Sequence, residues 1–144
     1  MNESLAKASS NHNHDEWLKQ QYHKAGKYLN QYQLGLWRVQ QKESAFLAPF
    51  IALWKVEIKN GGTIWVLTGG LPSDHTNVTN LNHPRDALHH FALSWQLKAE
   101  NLLYQLKSEQ TLFGNKDLQK EYAETLVKNA EKMYQLANSD KHWK

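Results

Sequence analysis

Residues 71–91, LPSDHTNVTNLNHPRDALHHF, hold four of the chain's eight histidines, two aspartates and one of its two arginines. Asp74, His75, His83, Asp86, His89 and His90 are of the types that act as general acids, general bases and metal ligands. Spacing limits what they can do together. If Pro84 opens a helix, His83, Asp86 and His90 fall on one face, whereas His89 points about 100° away from His90. At most three of these side chains then converge without help from the preceding loop. The HExxH arrangement, with two histidines one turn apart and a base between them, is absent, as are a serine elbow and a glycine-rich phosphate loop.

Ordinary local structure accounts for the same residues. Leu71, Pro72, Ser73 and Asp74 read as a turn, with Pro presetting one dihedral and Asp or Ser bonding back to the chain. Asn82 or His83 flanks a helix start, Pro84 fits its first position, and Asp86 lies where a negative charge suits the macrodipole. Arg85 then pairs with Asp86 or forks to Asp74, and His89 and His90 pack at an interface. Asp74, His75, His83, Arg85, Asp86 and His90 therefore stand as candidate binding residues. No catalytic set and no metal ligand set is assigned, and no cofactor is expected.

The elements that position this segment follow from periodicity. A polar tail, residues 1–12, leads to a helix from about 14 to 32. Asn13 and Glu16 resemble a capping box there, and Trp17, Leu18, Tyr22, Ala25, Leu29 and Tyr32 recur at helical steps until Gly35. LWRV at 36–39 has strand composition. From Phe50 the period becomes two, so that 50–58 and 63–68 read as an antiparallel hairpin turning at Asn60, Gly61 and Gly62. A polar connection to His83 follows.

A helix from Pro84 to Ser108 then carries Leu88, Phe91, Ala92, Trp95, Ala99, Leu102 and Leu106 on one stripe. Leu93, Leu97 and Tyr104 lie nearly opposite, so this helix needs partners on two sides. After a break at Phe113 and Gly114, a last helix carries Leu118, Tyr122, Leu126, Ala130, Met133 and Ala137. The sum is an α+β fold: a small antiparallel sheet, with central hairpin 50–68, packed with an N-terminal, a long central and a C-terminal helix. Residues 13–138 make a single domain and 139–144 a C-terminal tail. The large aromatics, including the tyrosines of the first helix, are expected in the core more than around a ligand pocket.

At 144 residues, with 40% hydrophobic residues, the chain can fill one core. Its formal charge is +3, and 15 of its 17 basic residues are lysine, interspersed with acids. Phosphate recognition favours the bidentate guanidinium, so no nucleic-acid partner is expected. No cysteine is present, which removes disulfides, thiolate sites and a cysteine nucleophile. The opening residues lack the basic and apolar regions of a secretory signal. The apolar stretch 45–54 is too short to span a bilayer of about 20 helical residues, so no membrane association is expected. A cytoplasmic location follows, and the sequon at Asn77 is read as chance.

The segments APFIALWKVE, IWVLTGGLPSDH and HPRDALHHFALSWQ resemble a bacterial domain-of-unknown-function family of short proteins over roughly residues 15–100. Its most specific pieces here are Leu71 to Asp74 and His83 to Ala87. This chain departs from it with Gly70 where an acidic residue is common and His75 where an aromatic is common. The resemblance implies a cytoplasmic bacterial protein with the strand, turn and helix order just read, and no assigned activity. The functional expectation is a nonenzymatic binding or interaction module, with a protein or small-molecule partner met by Leu71–His90. The alternatives are a metal-assisted hydrolase using the 74–90 His/Asp cluster and an immunity or antitoxin-type inhibitor. A homodimer through the central helix is a further reading.

Overall fold

The computed structural model describes the backbone of residues 2–108 and 115–143, and the side chains of 14–108 and 115–143. The chain divides into two compact units, Met1–Pro84 and Arg85–Lys144. Together they supply three long helices and a five-stranded antiparallel sheet, an α+β arrangement.

The first unit begins with α1, Asn2–Gln31. Asn13 therefore lies inside the helix and not at its cap. The physical reason is propagation: once the amphipathic turns after residue 14 are formed, extending the helix back through Glu3, Leu5, Ala6 and Ala8 fixes one residue per added hydrogen bond. The helix also ends otherwise than expected. Gln33, with φ of 59°, takes the left-handed position, while Leu34 N–H donates to Leu29 O and Gln33 N–H to Asn30 O. This is a helix stop of the kind Gly35 was expected to supply.

The strands are β1 (Leu36–Val39), β2 (Ala45–Leu47), β3 (Ile51–Ile58), β4 (Thr63–Gly69) and β5 (Asp74–Thr76). The expected hairpin is β3–β4, in register from Ile51 opposite Gly69 to Glu57 opposite Thr63. Its turn is closed by Gly61 N–H to Ile58 O and by Ile58 N–H to Gly62 O, with Gly61 at φ of 97°. β1 and β2 both pair with the far edge of β3, and β5 pairs with the far edge of β4. The Ala48–Pro49 peptide bond, between β2 and β3, is cis.

One face of the hairpin, carrying Ala52, Trp54, Val56, Ile58, Ile64 and Val66, packs with Ala25 and Leu29 of α1. Trp54 donates its indole N–H to Thr68 Oγ1 at 3.0 Å, which satisfies both polar groups inside this core. The opposite face, with Ile51, Leu53, Trp65 and Leu67, is buried as well. A near-continuous apolar run accounts for this double burial, since both faces of the paired strands carry apolar residues.

The second unit contains α2 (Pro84–Lys107) from its second residue onward and α3 (Lys116–Ala137). Phe113 and Gly114 lie outside the described residues. Asn115 caps α3 by accepting from Asp117 N–H and Leu118 N–H. The two helices run antiparallel, since Arg85 reaches Ala137, the His89 and Tyr134 rings lie 6.3 Å apart, Lys98 reaches Tyr122, and Gln119 reaches Leu102.

Along α2 the expected stripe from Leu88 to Leu102 is buried, but Leu93, Leu97 and Tyr104 remain at least half exposed. Among the described residues, nothing covers this second side of α2. In α3 the buried line is Gln119, Ala123, Leu126, Ala130, Met133 and Ala137. Leu118 and Tyr122 are exposed instead, so the stripe turns by one residue in its first two turns. Gln119 takes the inner place because its amide donates to Leu102 O at 3.0 Å, which satisfies a buried polar group that would otherwise be costly.

Candidate functional site

β5 carries Asp74 and His75 into the sheet. It is held by pairing of Asp74 with Leu67, His75 with Val66 and Thr76 with Trp65. The chain bends at Gly70 and Leu71, and Asp74, expected as the last residue of a turn, instead opens an edge strand where a polar connection was expected. Asp74 Oδ1 accepts His75's own backbone N–H at 2.8 Å.

The end of α1 and the turn that follows it supply the rest of the cluster. Tyr28 is one turn before Tyr32, and the helix stop at Gln33 fixes where Tyr32 sits. The Tyr28 hydroxyl lies 2.8 Å from His75 Nδ1. The Tyr28 and Tyr32 rings are 4.8 Å apart, and His75 lies 5.5 Å from Tyr28 and 5.1 Å from Tyr32. One turn before Tyr28, Lys24 donates its ammonium to Gly69 O at 2.7 Å, tying the same helix to the end of β4.

Electrostatics decide the chemical state of this cluster. Burial pushes the Tyr28 phenol well above its ordinary value, and its interactions with Tyr32 and the Asp74 carboxylate push it further the same way. Tyr28 is therefore a neutral phenol at physiological pH and not a nucleophile. When His75 is unprotonated, a neutral phenol donating to Nδ1 leaves the ring proton on Nε2, so the imidazole presents a donor on its other side. The arrangement orients His75 for hydrogen bonding.

The other candidates occupy different settings. His83 is exposed just before α2. Arg85 donates Nε–H to Ala137 O at 2.6 Å and a second guanidinium N–H to Asp140 Oδ1 at 2.8 Å. The fork thus closes the end of α3 against the start of α2. Asp86 is exposed in the first turn of α2, where a carboxylate was expected. His90 is half-buried, with its ring 6.1 Å from that of Phe91. Among the described residues, no three His, Asp or Glu side chains are grouped as a metal set.

Sequence reasoning missed Tyr28 and Tyr32 as neighbours of His75, and Lys24 as the tie from the same helix to the end of β4. Their four-residue steps on α1 are visible in the sequence, but the pairing of β5 that brings His75 to them is not.

No curated protein and no solved structure matches the chain. A family model does match, over residues 11–143, and so extends through α3, beyond the stretch of the motif resemblance. With nearly the whole chain covered, the protein belongs to the family described as Domain of unknown function (DUF4826).

Proposed function

We propose that the protein is a nonenzymatic binding or interaction module of the bacterial cytoplasm, with the Leu71–His90 segment forming part of its recognition surface. The observation that supports this reading is the three-ring cluster of Tyr28, Tyr32 and His75 beside the edge strand β5, with Tyr32 54% exposed. Tyrosine concentrates at the energetic centres of interfaces, because it offers a large contact area and a polar tip with little rotamer entropy to lose. The Tyr28 hydroxyl and the orienting contact to His75 prearrange this patch, which lowers the ordering cost of binding.

Affinity capture from the native host, with the parent protein and Tyr32→Ala side by side, tests the proposal. The expected outcome is a partner retained by the parent and lost by Tyr32→Ala at an unchanged melting temperature. Equal retention by both overturns it. Stoichiometric zinc or nickel is expected to leave tryptophan fluorescence and melting temperature unaltered. Submicromolar metal binding that disappears in a His83→Ala, His90→Ala double variant would refute the nonenzymatic reading in favour of metal-assisted hydrolysis.

A further inference from the structure

β1 and β2 pair with the same edge of β3, β1 at Val56–Ile58 and β2 at Ile51–Leu53, which leaves a gap beside Lys55. The chain crosses that gap in a single 3₁₀ turn, Gln41–Glu43. Side chain and backbone close it together. Gln40 N–H donates to Lys55 O at 2.8 Å, Lys55 N–H donates to Ser44 Oγ at 2.9 Å, and Ser44 Oγ donates to Gln40 O at 2.9 Å. Ser44 stands where a strand backbone would otherwise accept, so the wall of the gap is pinned and the Lys55 backbone is satisfied.

In front of this wall lies a cavity of ≈380 Å³, whose lining includes Gln40, Glu43, Lys55, Thr63, Trp65 and Thr79 together with the apolar Val78 and Leu81. That volume is at the small end of about 300–1,000 Å³ for small-molecule sites. The Lys55 side chain is only 18% exposed, and its ammonium lies 5.7 Å from the centre of the Trp65 ring. Trp65 is fixed in turn by donating its indole N–H to Leu81 O at 2.9 Å. The carboxylate facing Lys55 is Glu43 Oε2, at 3.4 Å. A charge-assisted contact closes to about 2.7–2.9 Å when optimal, so this ion pair is longer than the tightest kind. Glu43 is 51% exposed, so its carboxylate is open to a ligand from solvent.

The donor set selects a ligand. It holds one ammonium and one carboxylate, so a simple carboxylate approaching Lys55 would meet the like charge of Glu43, and a simple amine approaching Glu43 would meet Lys55. A zwitterion satisfies both without adding net charge. The Thr63 and Thr79 hydroxyls can hydrogen-bond the same head group, while the Gln40 amide is held by donating to Glu57 Oε1 at 3.4 Å, and Val78 and Leu81 offer apolar contact to a short side chain. We propose that this cavity binds a free α-amino acid, its carboxylate on Lys55 and its ammonium on Glu43. The site is distinct from the Tyr28–Tyr32–His75 patch, and its test does not depend on that patch.

Calorimetric titration of the full chain with each common amino acid, beside propionate, n-propylamine and glucose, tests the proposal. The expected result is saturable binding of at least one amino acid and no heat from the three controls. Lys55→Met and Glu43→Gln should each weaken that binding by roughly tenfold or more, while Tyr32→Ala leaves it unaltered. The exposed Glu43→Gln substitution carries the test even if Lys55→Met fails to fold. The proposal is overturned if no amino acid saturates, if propionate, propylamine or glucose binds as well as the amino acids, or if Glu43→Gln keeps the parent affinity.

Discussion

Arg85 shows how one planar side chain can serve two acceptors: a backbone carbonyl at the end of α3 and a carboxylate just beyond it. Lysine has no Nε–H and no fork, so Arg85→Lys should lose the Ala137 contact and destabilise by about 1–2 kcal/mol. Asp86→Asn removes only a first-turn charge and should cost about 0.3–1 kcal/mol. Urea melts of the two variants beside the parent check this, and an Arg85→Lys variant as stable as the parent would contradict the fork. Tyr28 makes a prediction in pH. Its phenol is raised in the folded protein, so the folded state holds the proton more tightly than the unfolded chain. That contribution is fully present below the unfolded phenol value of about 10 and is lost as pH rises from there toward the higher folded value. Melts at increasing alkaline pH should show stability falling, and Tyr28→Phe should flatten the fall. An identical slope in both proteins would mean that burial of Tyr28 is not its source.

The two glycines of α1 and β4 separate backbone need from chance. Gly69 has φ of +141°, and an added Cβ there would sit 2.4 Å from Phe50 O and 2.7 Å from Ile51 Cα. Gly69→Ala should therefore cost about 2–4 kcal/mol. Gly26 lies within α1 with nothing within 4 Å of an added Cβ, so Gly26→Ala should stabilise by about 0.5–1 kcal/mol. Thermal melts of both variants should move in opposite directions, and a shared direction would refute the contrast. The same elements show what the sequence makes legible. The β3–β4 hairpin and the buried stripe of α2 announce themselves, because period two and period 3.6 are written in side-chain type. β5 does not, since Asp74, His75 and Thr76 have no strand pattern and are ordered by the edge of β4. Nor does the α3 phase, which depends on a buried glutamine finding a carbonyl on α2. The Lys55 cavity stayed hidden for a related reason: Ser44 acts there through one hydroxyl bridging two distant backbone groups.

Charge belongs to the whole chain, and here number and placement point the same way. Of 17 basic residues only two are arginines, and both are engaged within the protein: Arg38 donates to Glu57 at 2.7 Å, and Arg85 closes the α2–α3 pair. Glu57 is held below the ordinary carboxylate range by its hydrogen bond to Arg38, so that pair stays ionised at neutral pH. Lysines do come together in a groove of ≈430 Å³ between α1 and the start of β1, where Lys27 and Lys59 lie with His23, Asn30 and Leu36. Two lysines release about two counterions, which gives a slope of log affinity against log salt near −2. Proteins that bind duplexes specifically make many more phosphate contacts and lose affinity far more steeply with salt. Anisotropy of a labelled duplex at physiological salt should therefore show affinity no tighter than about 1 μM, the non-specific range, with that shallow slope. Submicromolar binding with a slope of about −5 or steeper would require a basic surface that these lysines do not make, and would move the recognition chemistry of this protein from the tyrosine and histidine patch to its charges.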